Sequence, residues 1–285
     1  MIDIKGQHTD AIIYTNNPQD TAIAQIEELI NQSFMAGTKV RIMPDYHAGK
    51  GCVIGTTIAL NGRVVPNLVG VDVGCGVLVA QIGTGTIDFD ALDQTIRRFV
   101  PSGNDIHDEP SKLRMTEQFA NDLFHTTGLH NDYTNRSLGT LGGGNHFIEV
   151  AKDDEGMHYL LIHTGSRYVG AKVANWHQNR AFESLRRMDL TEKIEELKAA
   201  GRHQEIQGMI ADYKNANPVV PKELSYLEGD LFDDYIADMK LAQQFAHNNR
   251  QTIAQIIAQQ MKWEYGTQFD SVHNYIDVDA MILRK

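Results

Sequence analysis

The sequence predicts a mixed α/β fold of the α+β type, in which central β-sheets are surrounded by helices. Short runs of β-branched residues broken by glycine fill residues 39–82 and return after residue 145, a pattern typical of strands and tight turns. Other stretches repeat apolar residues every three or four positions, which is the spacing of an amphipathic helix. With 42% hydrophobic and 22% charged residues, the composition is that of a folded globular chain.

Two helices are expected among the strands of the N-terminal half. After a short strand-like start, Asp20 is the candidate cap of the first helix, and Gly37 ends it. Asp88 begins the second helix, and Pro101 stops it. The predicted apolar faces consist of Ile23, Ile26, Ile30 and Phe34 in the first helix and of Phe89, Leu92, Ile96 and Phe99 in the second.

The second helix is followed by the polar stretch 103–135, which is expected to lie on the surface. Two strand-like runs, HFIEVA and MHYLLIH, then flank the turn signal DDEG. Residues 168–213 have a helical composition, NANPVVPKE predicts a loop, and residues 230–262 predict one long helix. The last strand-like runs, FDSVHNYIDV and MILRK, end the sequence abruptly, as expected of a truncated reading frame.

The charge balance argues against a surface that binds nucleic acid broadly. Lys and Arg total 26 against 37 Asp and Glu, a formal net charge of −11, so any site for a polyanion has to be local. No leader of the secretory type begins the chain, and the longest apolar stretch, 64–82, is interrupted by Pro66 and Asp72. We therefore expect a cytoplasmic protein without a membrane partner, in which Cys52 and Cys75 stay reduced.

Two glycine-rich segments carry candidate functional groups. In DVGCG, Asp72 and Cys75 stand three residues apart, and the flanking glycines allow both side chains to turn toward one metal ion. The alternative is a glycine-rich turn with Cys75 as a small filler. In LGGGNH, three glycines precede Asn145 and His146 and allow successive backbone N–H groups to face an anion. The alternative there is a flexible loop.

Two further histidines follow strand-like runs. His163 ends YLLIH and precedes Gly-Ser-Arg167, groups that suit a phosphate, although a half-buried histidine beside a surface arginine is the alternative. His273 repeats the strand-end position with Asn274 beside it. One thiolate with several imidazoles favours zinc or iron over manganese, so the residues alone leave the metal open. The five candidate ligands are Asp72, Cys75, His146, His163 and His273.

Polar and aromatic residues elsewhere receive structural interpretations. His247 and Arg250, on the long helix, could face RNA, but a solvated polar face is the simpler interpretation. The helix dipole accounts for the aspartates at the start of this helix. Trp176 and Trp263 lack the pattern of an RNA-recognition motif, and we expect them in the core or in interfaces.

At the candidate ligands the sequence resembles the RtcB family of GTP-dependent RNA ligases. The matching blocks occur in the order of the family along the whole chain, which implies one RtcB-like catalytic domain over residues 1–285, with metal ligands at the ends of central strands. The blocks are MPDYHAGKG at 43–51, VGVDVGCGV at 69–77, LGGGNHFIEV at 141–150, HTGSR at 163–167 and VHNYI at 272–276.

The resemblance implies an enzyme that joins RNA ends with a 2′,3′-cyclic phosphate or a 3′-phosphate to ends with a 5′-hydroxyl. The reaction would use GTP and two Mn²⁺ ions, in tRNA splicing or RNA repair. The five candidate ligands fall on the metal-binding positions of the family, with Cys75 bridging the two ions. Asn145, Asn274 and Arg167 fall on phosphate contacts, and Glu149 falls on a position that recognises the guanine edge.

The sequence departs from the family pattern at the nucleophile. In the family, a histidine in a His-Gly-Ala-Gly-Arg block downstream of the His-Asn pair attacks GTP. After Asn274 this sequence has eleven residues and no histidine. His47, in HAGK, belongs to the N-terminal block and is not assigned the role. We therefore expect the portion with the nucleophilic histidine to be absent, so that this chain binds metal without guanylylating itself.

Two other functions fit the same residues. A metal-dependent phosphoesterase would open cyclic phosphates with a metal-activated water and without GTP. A non-catalytic remnant would only bind metal or RNA ends. Release of 3′-phosphate ends without GTP would favour the phosphoesterase, and binding without turnover that Cys75→Ala abolishes would favour the remnant.

Overall fold

The protein has the mixed α/β architecture that its sequence predicts. A computed structural model describes residues 1–49, 51–110, 128, 131–186, 190–216 and 220–285. Its strands are β1 (Ile2–Lys5), β2 (Asp10–Ile13), β3 (Lys39–His47), β4 (Ile54–Ala59), β5 (Arg63–Val64), β6 (Gly76–Gly83), β7 (Phe147–Lys152), β8 (His158–Thr164), β9 (Leu227–Glu228), β10 (Gln268–Val272), β11 (Tyr275–Asp277) and β12 (Ile282–Arg284). Its helices are α1 (Asp20–Ile30), α2 (Pro66–Val69), α3 (Phe89–Phe99), α4 (Asn131–Ser137), α5 (Arg167–Arg186), α6 (Leu190–Ala199), α7 (Ile206–Ala216) and α8 (Asp230–Met261).

The strands form two larger sheets and one small pair. The first sheet has the order β1-β2-β3-β4-β12-β11, the second has the order β10-β6-β8-β7, and β5 pairs with β9. Only the β2–β3 pair of the first sheet is parallel, and all neighbours in the second sheet are antiparallel. The run MILRK supplies β12, which lies between β4 and β11.

The long helix α8 contributes to two hydrophobic cores. Its first half places Tyr235 and Phe245 in the core that the six-stranded sheet, α1 and α5 share. Its second half places Ile253 and Ile257 against β6, β8 and α3. Full burial of such a side chain stabilises the fold by about 1.5–3 kcal/mol. Helix α8 therefore joins the two sheets into one packed body.

Some predicted helix details are wrong. Asp20 is the first residue of α1 and not its cap, because Gln19 takes the cap position. Helix α1 ends at Ile30, and Phe34 is buried from a separate 3₁₀ turn. Asp88 does cap α3, accepting from the backbone N–H of Ala91 at 2.9 Å. Phe89, however, is 59% exposed, because α3 buries Leu92 and Thr95 instead.

The aspartates at the start of α8 do more than complement its dipole. Asp238 lies 2.6 Å from Nε2 of His177, which is fully buried. Asp234 accepts from Arg180 at 3.1 Å. Both partners lie on α5, so these carboxylates also hold α5 against α8.

Parts of some predicted segments lie outside the described residues. These parts are 111–127 and 129–130 of the polar stretch, 187–189 of the helical stretch, 217–219 of the predicted loop and residue 50 of the N-terminal block. Helix α4, near the end of the polar stretch, was not predicted. Across the described ranges, none of the helices combines the length and the apolarity that a membrane crossing requires.

Candidate metal centre

The candidate site lies at one end of the four-stranded sheet. Because its neighbouring strands are antiparallel, β6 and β7 begin at this end and β8 and β10 finish there. Gly76 pairs with both Thr164 and Val272, and Phe147 pairs with His163. The residues in or next to these pairs therefore become neighbours in space. They are Cys75, His146, His163 and His273.

The five candidate ligands form two overlapping groups of donor atoms. One group is Cys75, His163 and His273, and the other is Asp72, Cys75 and His146; within each group the donor atoms lie within 4.8 Å of one another. The Cys75 Sγ atom lies 3.2 Å from Nε2 of His163 and 3.7 Å from Nε2 of His146. Oδ2 of Asp72 lies 3.0 Å from the same nitrogen of His146. The structure thus brings together all five residues, with the thiol common to both groups.

The segment with Asp72 and Cys75 is a tight turn that contacts two other segments. The N–H of Cys75 donates to the carbonyl of Asp72 at 3.1 Å, and the N–H of His273 donates to the carbonyl of Cys75 at 3.0 Å. A Cβ atom on Gly165 would lie 2.0 Å from Oδ1 of Asp72. Glycine at position 165 therefore allows the HTGSR segment to approach the carboxylate.

A backbone contact orients the His146 ring. Its Nδ1 atom lies 2.9 Å from the carbonyl of Leu141, and because a carbonyl only accepts, Nδ1 carries a proton. The hydroxyl of Thr164 donates to the same carbonyl at 2.7 Å. Such a contact on one nitrogen fixes the ring of a metal-binding histidine and directs its other nitrogen at the ion. Nε2 of His146 indeed faces Asp72 and Cys75.

The local environment sets the protonation of the cluster. Burial and the neighbouring Asp72 carboxylate raise the pKa of the Cys75 thiol far above its usual value. Burial lowers the pKa of His163, and partial desolvation by the surrounding residues lowers the pKa of His273, although one side of its ring faces solvent. Burial opposes ionisation of Asp72, but hydrogen bonds with His146 and Cys75 outweigh it and lower the pKa of this carboxyl. The cluster offers a carboxylate, neutral imidazoles at His163 and His273, and a thiol that ionises when a cation binds.

This donor set fits a divalent transition metal. Imidazole nitrogen, thiolate sulfur and carboxylate oxygen are the protein ligands that such ions use, and each has to be free of a proton on its donor atom. Cys75 and His163 are almost fully buried, whereas His273 is exposed, so the cluster is open to solvent on one side. A small ligand could therefore reach a bound ion.

Two fully buried residues of α8 hold the segments that carry the ligands. The Arg250 guanidinium donates to the carbonyls of Gly74 at 2.9 Å and Thr164 at 2.8 Å. It also forms two bonds, of 2.7 and 2.9 Å, with the carboxylate of Asp270. Asn249 binds the backbone of Gly139 and of the adjacent Thr140. The interpretation of Arg250 as part of a solvated polar face is therefore wrong.

A signal in the sequence could have found Asn249 and Arg250. Both fall on the mostly apolar, buried stripe of α8, so the helical period alone places them inside. His247, outside that stripe, is half-exposed and lies 2.6 Å from Oδ2 of Asp270.

The residues expected to contact a nucleotide lie around the same sheet end. Asn145 and Glu149 are exposed, one just before β7 and one within it. The amide of Asn274 donates to the carbonyl of Asp72 at 3.4 Å. Arg167 donates to the hydroxyl of Thr140 at 2.9 Å and to a backbone carbonyl at residue 103, at 2.7 Å.

The triple-glycine loop packs against Arg167. Gly142 has a φ of +82°, and a Cβ atom there would lie 1.7 Å from Nη1 of Arg167. Glycine at this position therefore allows the positive φ angle and leaves room for the guanidinium of Arg167.

The fold and the cluster define the class of this protein. It is a mixed α/β protein that carries carboxylate, thiol and imidazole groups at the end of an antiparallel sheet. The family model described as tRNA-splicing ligase RtcB matches residues 25–131 and 121–285. The chain therefore belongs to the RtcB family.

Curated relatives carry the same family name. The RNA-splicing ligase RtcB of Escherichia coli strain K12 is 27% identical over 286 residues, which cover 88% of this chain and 63% of the relative. RtcB1 of another Escherichia coli strain is 28% identical, with 79% of this chain and 54% of the relative covered. The tRNA-splicing ligase RtcB of Pyrobaculum aerophilum is 24% identical, with 85% and 57% covered. The chain thus spans a little over half the length of these relatives.

Proposed function

We propose that this protein is an RNA ligase that joins 2′,3′-cyclic phosphate or 3′-phosphate ends to 5′-hydroxyl ends, using GTP and two Mn²⁺ ions, in tRNA splicing or RNA repair. The observation that carries the proposal is the position of Cys75 in both groups of donor atoms. Because Cys75 belongs to both groups, its thiolate would serve as a ligand of two cations, one in each group. Membership in a family named for tRNA-splicing ligases supports the class of reaction.

Each proposed ion has its own ligands besides the shared thiolate. Asp72 and His146 would complete one site, and His163 and His273 would complete the other. Two divalent ions at such a site neutralise phosphate charge and orient an in-line displacement at phosphorus.

The nucleotide would lie beside the cluster. We assign phosphate contacts to Asn145, Asn274 and Arg167, which lie in the segments that carry the proposed ligands. We assign recognition of guanine to Glu149, whose side chain is exposed. Glu149 lies two residues after Phe147 in β7, so both side chains are on the same face of the strand. The Phe147 ring packs edge-on against the ring of His163, at 5.1 Å between centroids, so this face leads directly to the cluster.

We assign the role of nucleophile to none of the described histidines. His146, His163 and His273 are proposed ligands, so their donor nitrogens are committed to metal. His47 is exposed, and its Nδ1 atom lies 3.1 Å from the carbonyl of Asp45. The family resemblance implies a nucleophilic histidine in a further block, and the described residues would form the part of the active site that binds metal and phosphate.

The proposal is tested with α-labelled GTP and Mn²⁺, followed by denaturing gels. We expect acid-labile label on a version extended by any downstream coding sequence, and none on the 285-residue chain. The extended version should also join a 3′-phosphate RNA to a 5′-hydroxyl RNA. Cys75→Ala should abolish both reactions, whereas Cys52→Ala, which removes the other buried free cysteine, should keep them.

Other outcomes would contradict specific parts of the proposal. Label on the 285-residue chain would show that it contains a nucleophile. Release of 3′-phosphate ends from a cyclic phosphate without GTP would identify a phosphoesterase. RNA or metal binding without any turnover in the extended version would identify a binding module.

A further inference from the structure

Helix α5 begins directly after the candidate metal centre and displays aromatic and cationic side chains. Tyr168 is 48% exposed and Trp176 is 38% exposed. Nζ of Lys172 lies 5.0 Å from the centroid of the Tyr168 ring, and the guanidinium carbon of Arg180 lies 4.4 Å from that of Trp176. These four residues are spaced four positions apart, so consecutive members are neighbours on the helix surface. We call them the α5 stripe.

The charge of α5 is opposite to that of the whole chain. The segment Arg167–Arg186 contains three Arg and one Lys against a single Glu, a formal charge of +3, whereas the chain carries −11. Among the described residues, Glu183 lies on the same helix, and Asp234 on α8 accepts from Arg180. Asp238 on α8 contacts His177, the residue after Trp176. A polyanion is therefore less strongly repelled at α5 than over the rest of the molecule.

The α5 stripe leads away from the cluster. Tyr168 follows Arg167, which packs against the triple-glycine loop, and lies five residues after His163. With a rise of about 1.5 Å per residue, the Tyr168 and Trp176 backbones are separated by about 12 Å along the helix axis. A strand whose end lies at the cluster can therefore continue over both rings.

Proteins that bind single-stranded nucleic acid combine these two features. Bases stack on exposed aromatic rings, and cationic side chains follow the phosphates. Exposed Asn175 and Asn179 lie on the same side of α5 and add hydrogen-bonding groups. Trp176, expected in the core or in an interface because the sequence lacks an RNA-recognition motif, is exposed and lies outside the core. In that motif, strands carry the aromatic residues. Here a helix carries them.

We propose that the α5 stripe binds single-stranded RNA, with one base on Tyr168, one base on Trp176, and Lys172 and Arg180 on the phosphates. This rests on the proposed ligase function and names the path along which one RNA strand leaves the cluster.

Tryptophan fluorescence tests the stacking directly, because the chain has only two tryptophans, Trp176 and Trp263. The Trp263→Phe chain keeps Trp176 as its only tryptophan, and the Trp176→Phe chain keeps Trp263. Titration with a single-stranded 12-nucleotide oligouridine that ends in a 3′-phosphate should quench the first chain and leave the second unchanged. Equal quenching in both chains, or quenching in neither, would overturn the proposal.

Binding of the same RNA, labelled with fluorescein, is measured by anisotropy in the presence of Mn²⁺. Tyr168→Ala and Trp176→Ala should each weaken binding at least about five-fold. This factor is the lower end of the range for the loss of one base stacked on an aromatic ring. Lys172→Gln should flatten the slope of log affinity against log salt by about 0.7, as expected for one phosphate contact. The matched control is Tyr14→Ala, which removes an exposed tyrosine outside the stripe and should change binding less than two-fold.

Failure of the stripe and failure of the ligase function give different results. If RNA binds the unmodified chain but the stripe variants bind equally well, the stripe is refuted and the ligase proposal stands. If the stripe variants lose RNA as expected but Cys75→Ala retains full Mn²⁺ binding, the metal centre is refuted and the stripe stands. Absence of RNA binding by the unmodified chain would overturn the stripe.

Discussion

At the scale of single residues, Cys75 combines two opposing requirements. It is almost fully buried beside a carboxylate, which favours the neutral thiol, yet it lies where two groups of nitrogen and oxygen donors meet. A thiol binds a metal ion only after it loses its proton. Binding of a cation at the cluster is therefore coupled to ionisation of this side chain.

Mn²⁺ binding should release about one proton per chain from Cys75 near neutral pH. The sign follows from the raised pKa of the thiol: the metal-free protein holds the proton, and the metal-bound protein does not. Affinity for Mn²⁺ should consequently rise with pH. Calorimetric titrations in two buffers of different ionisation enthalpy measure the release directly.

Two variants control this measurement. Cys75→Ser should remove the proton release, whereas Cys52→Ser should keep it, because Cys52 lies outside both donor groups. Tight Mn²⁺ binding without proton release would show that the thiol is not a ligand.

Gly165→Ala should weaken Mn²⁺ binding by roughly 10- to 100-fold, a range typical of disturbed support around a metal ligand. The added Cβ atom would lie 2.0 Å from Oδ1 of Asp72, so the carboxylate has to shift, which disturbs its 3.0 Å contact with His146. Gly85→Ala is the matched control, because a Cβ there meets nothing within 4 Å. Equal Mn²⁺ affinities of the two variants in calorimetry would contradict this role of Gly165.

Each candidate ligand can be predicted from its own motif, but the residues that hold the ligand segments in place cannot. Asp72, Cys75 and the three histidines stand beside glycine or asparagine in recognisable motifs. Arg250 stands in no such motif, and only its position on a buried helix face shows that it points inward. Its partners, the carbonyls of Gly74 and Thr164, are backbone atoms that residue types do not reveal.

At the scale of elements, the antiparallel four-stranded sheet explains why distant motifs meet. Strand β10 pairs with β6, which lies almost 200 residues earlier in the chain. The strand-like runs were predictable from composition, but no local pattern specifies which strands pair or in which register. The long helix α8 was predicted to within one residue of its end, because its apolar period continues over nine turns. The short polar helix α4 has too few periodic positions to be recognised.

Arg250→Ala should lower the free energy of unfolding by about 3–5 kcal/mol, because it leaves the Asp270 carboxylate and two carbonyls without their buried partner. Arg250→Lys should not restore the loss, since an ammonium cannot reproduce the planar fork of the guanidinium. Urea denaturation followed by circular dichroism measures the change.

The control for Arg250 is Arg97→Ala, which breaks an exposed pair with Asp93 and should leave the unfolding free energy unchanged within error. If the Arg250 and Arg97 variants were equally stable, α8 would not hold the ligand segments in the way described.

At the scale of the whole molecule, the cluster lies where the four-stranded sheet, α8 and the C-terminal strands meet. Ligand segments come from the first third of the sequence, from its middle and from its end. Ions held by these segments bind the folded chain and not the unfolded one, so they stabilise the whole fold.

Mn²⁺ at a free concentration one hundred times its Kd should therefore stabilise the protein by about 2.7 kcal/mol. Differential scanning fluorimetry should show a rise of Tm that a chelator reverses. Cys75→Ala should remove most of the rise, and Cys52→Ala should keep it. A Tm that does not respond to Mn²⁺ in the unmodified chain would indicate that the cluster does not bind this ion.

The most direct test of the central claim is anomalous diffraction at the manganese absorption edge, from crystals of this chain grown with Mn²⁺. The account predicts two anomalous peaks on either side of Sγ of Cys75, one beside Asp72 and His146 and the other beside His163 and His273. A single peak away from Sγ, or no peak at this end of the sheet, would contradict it.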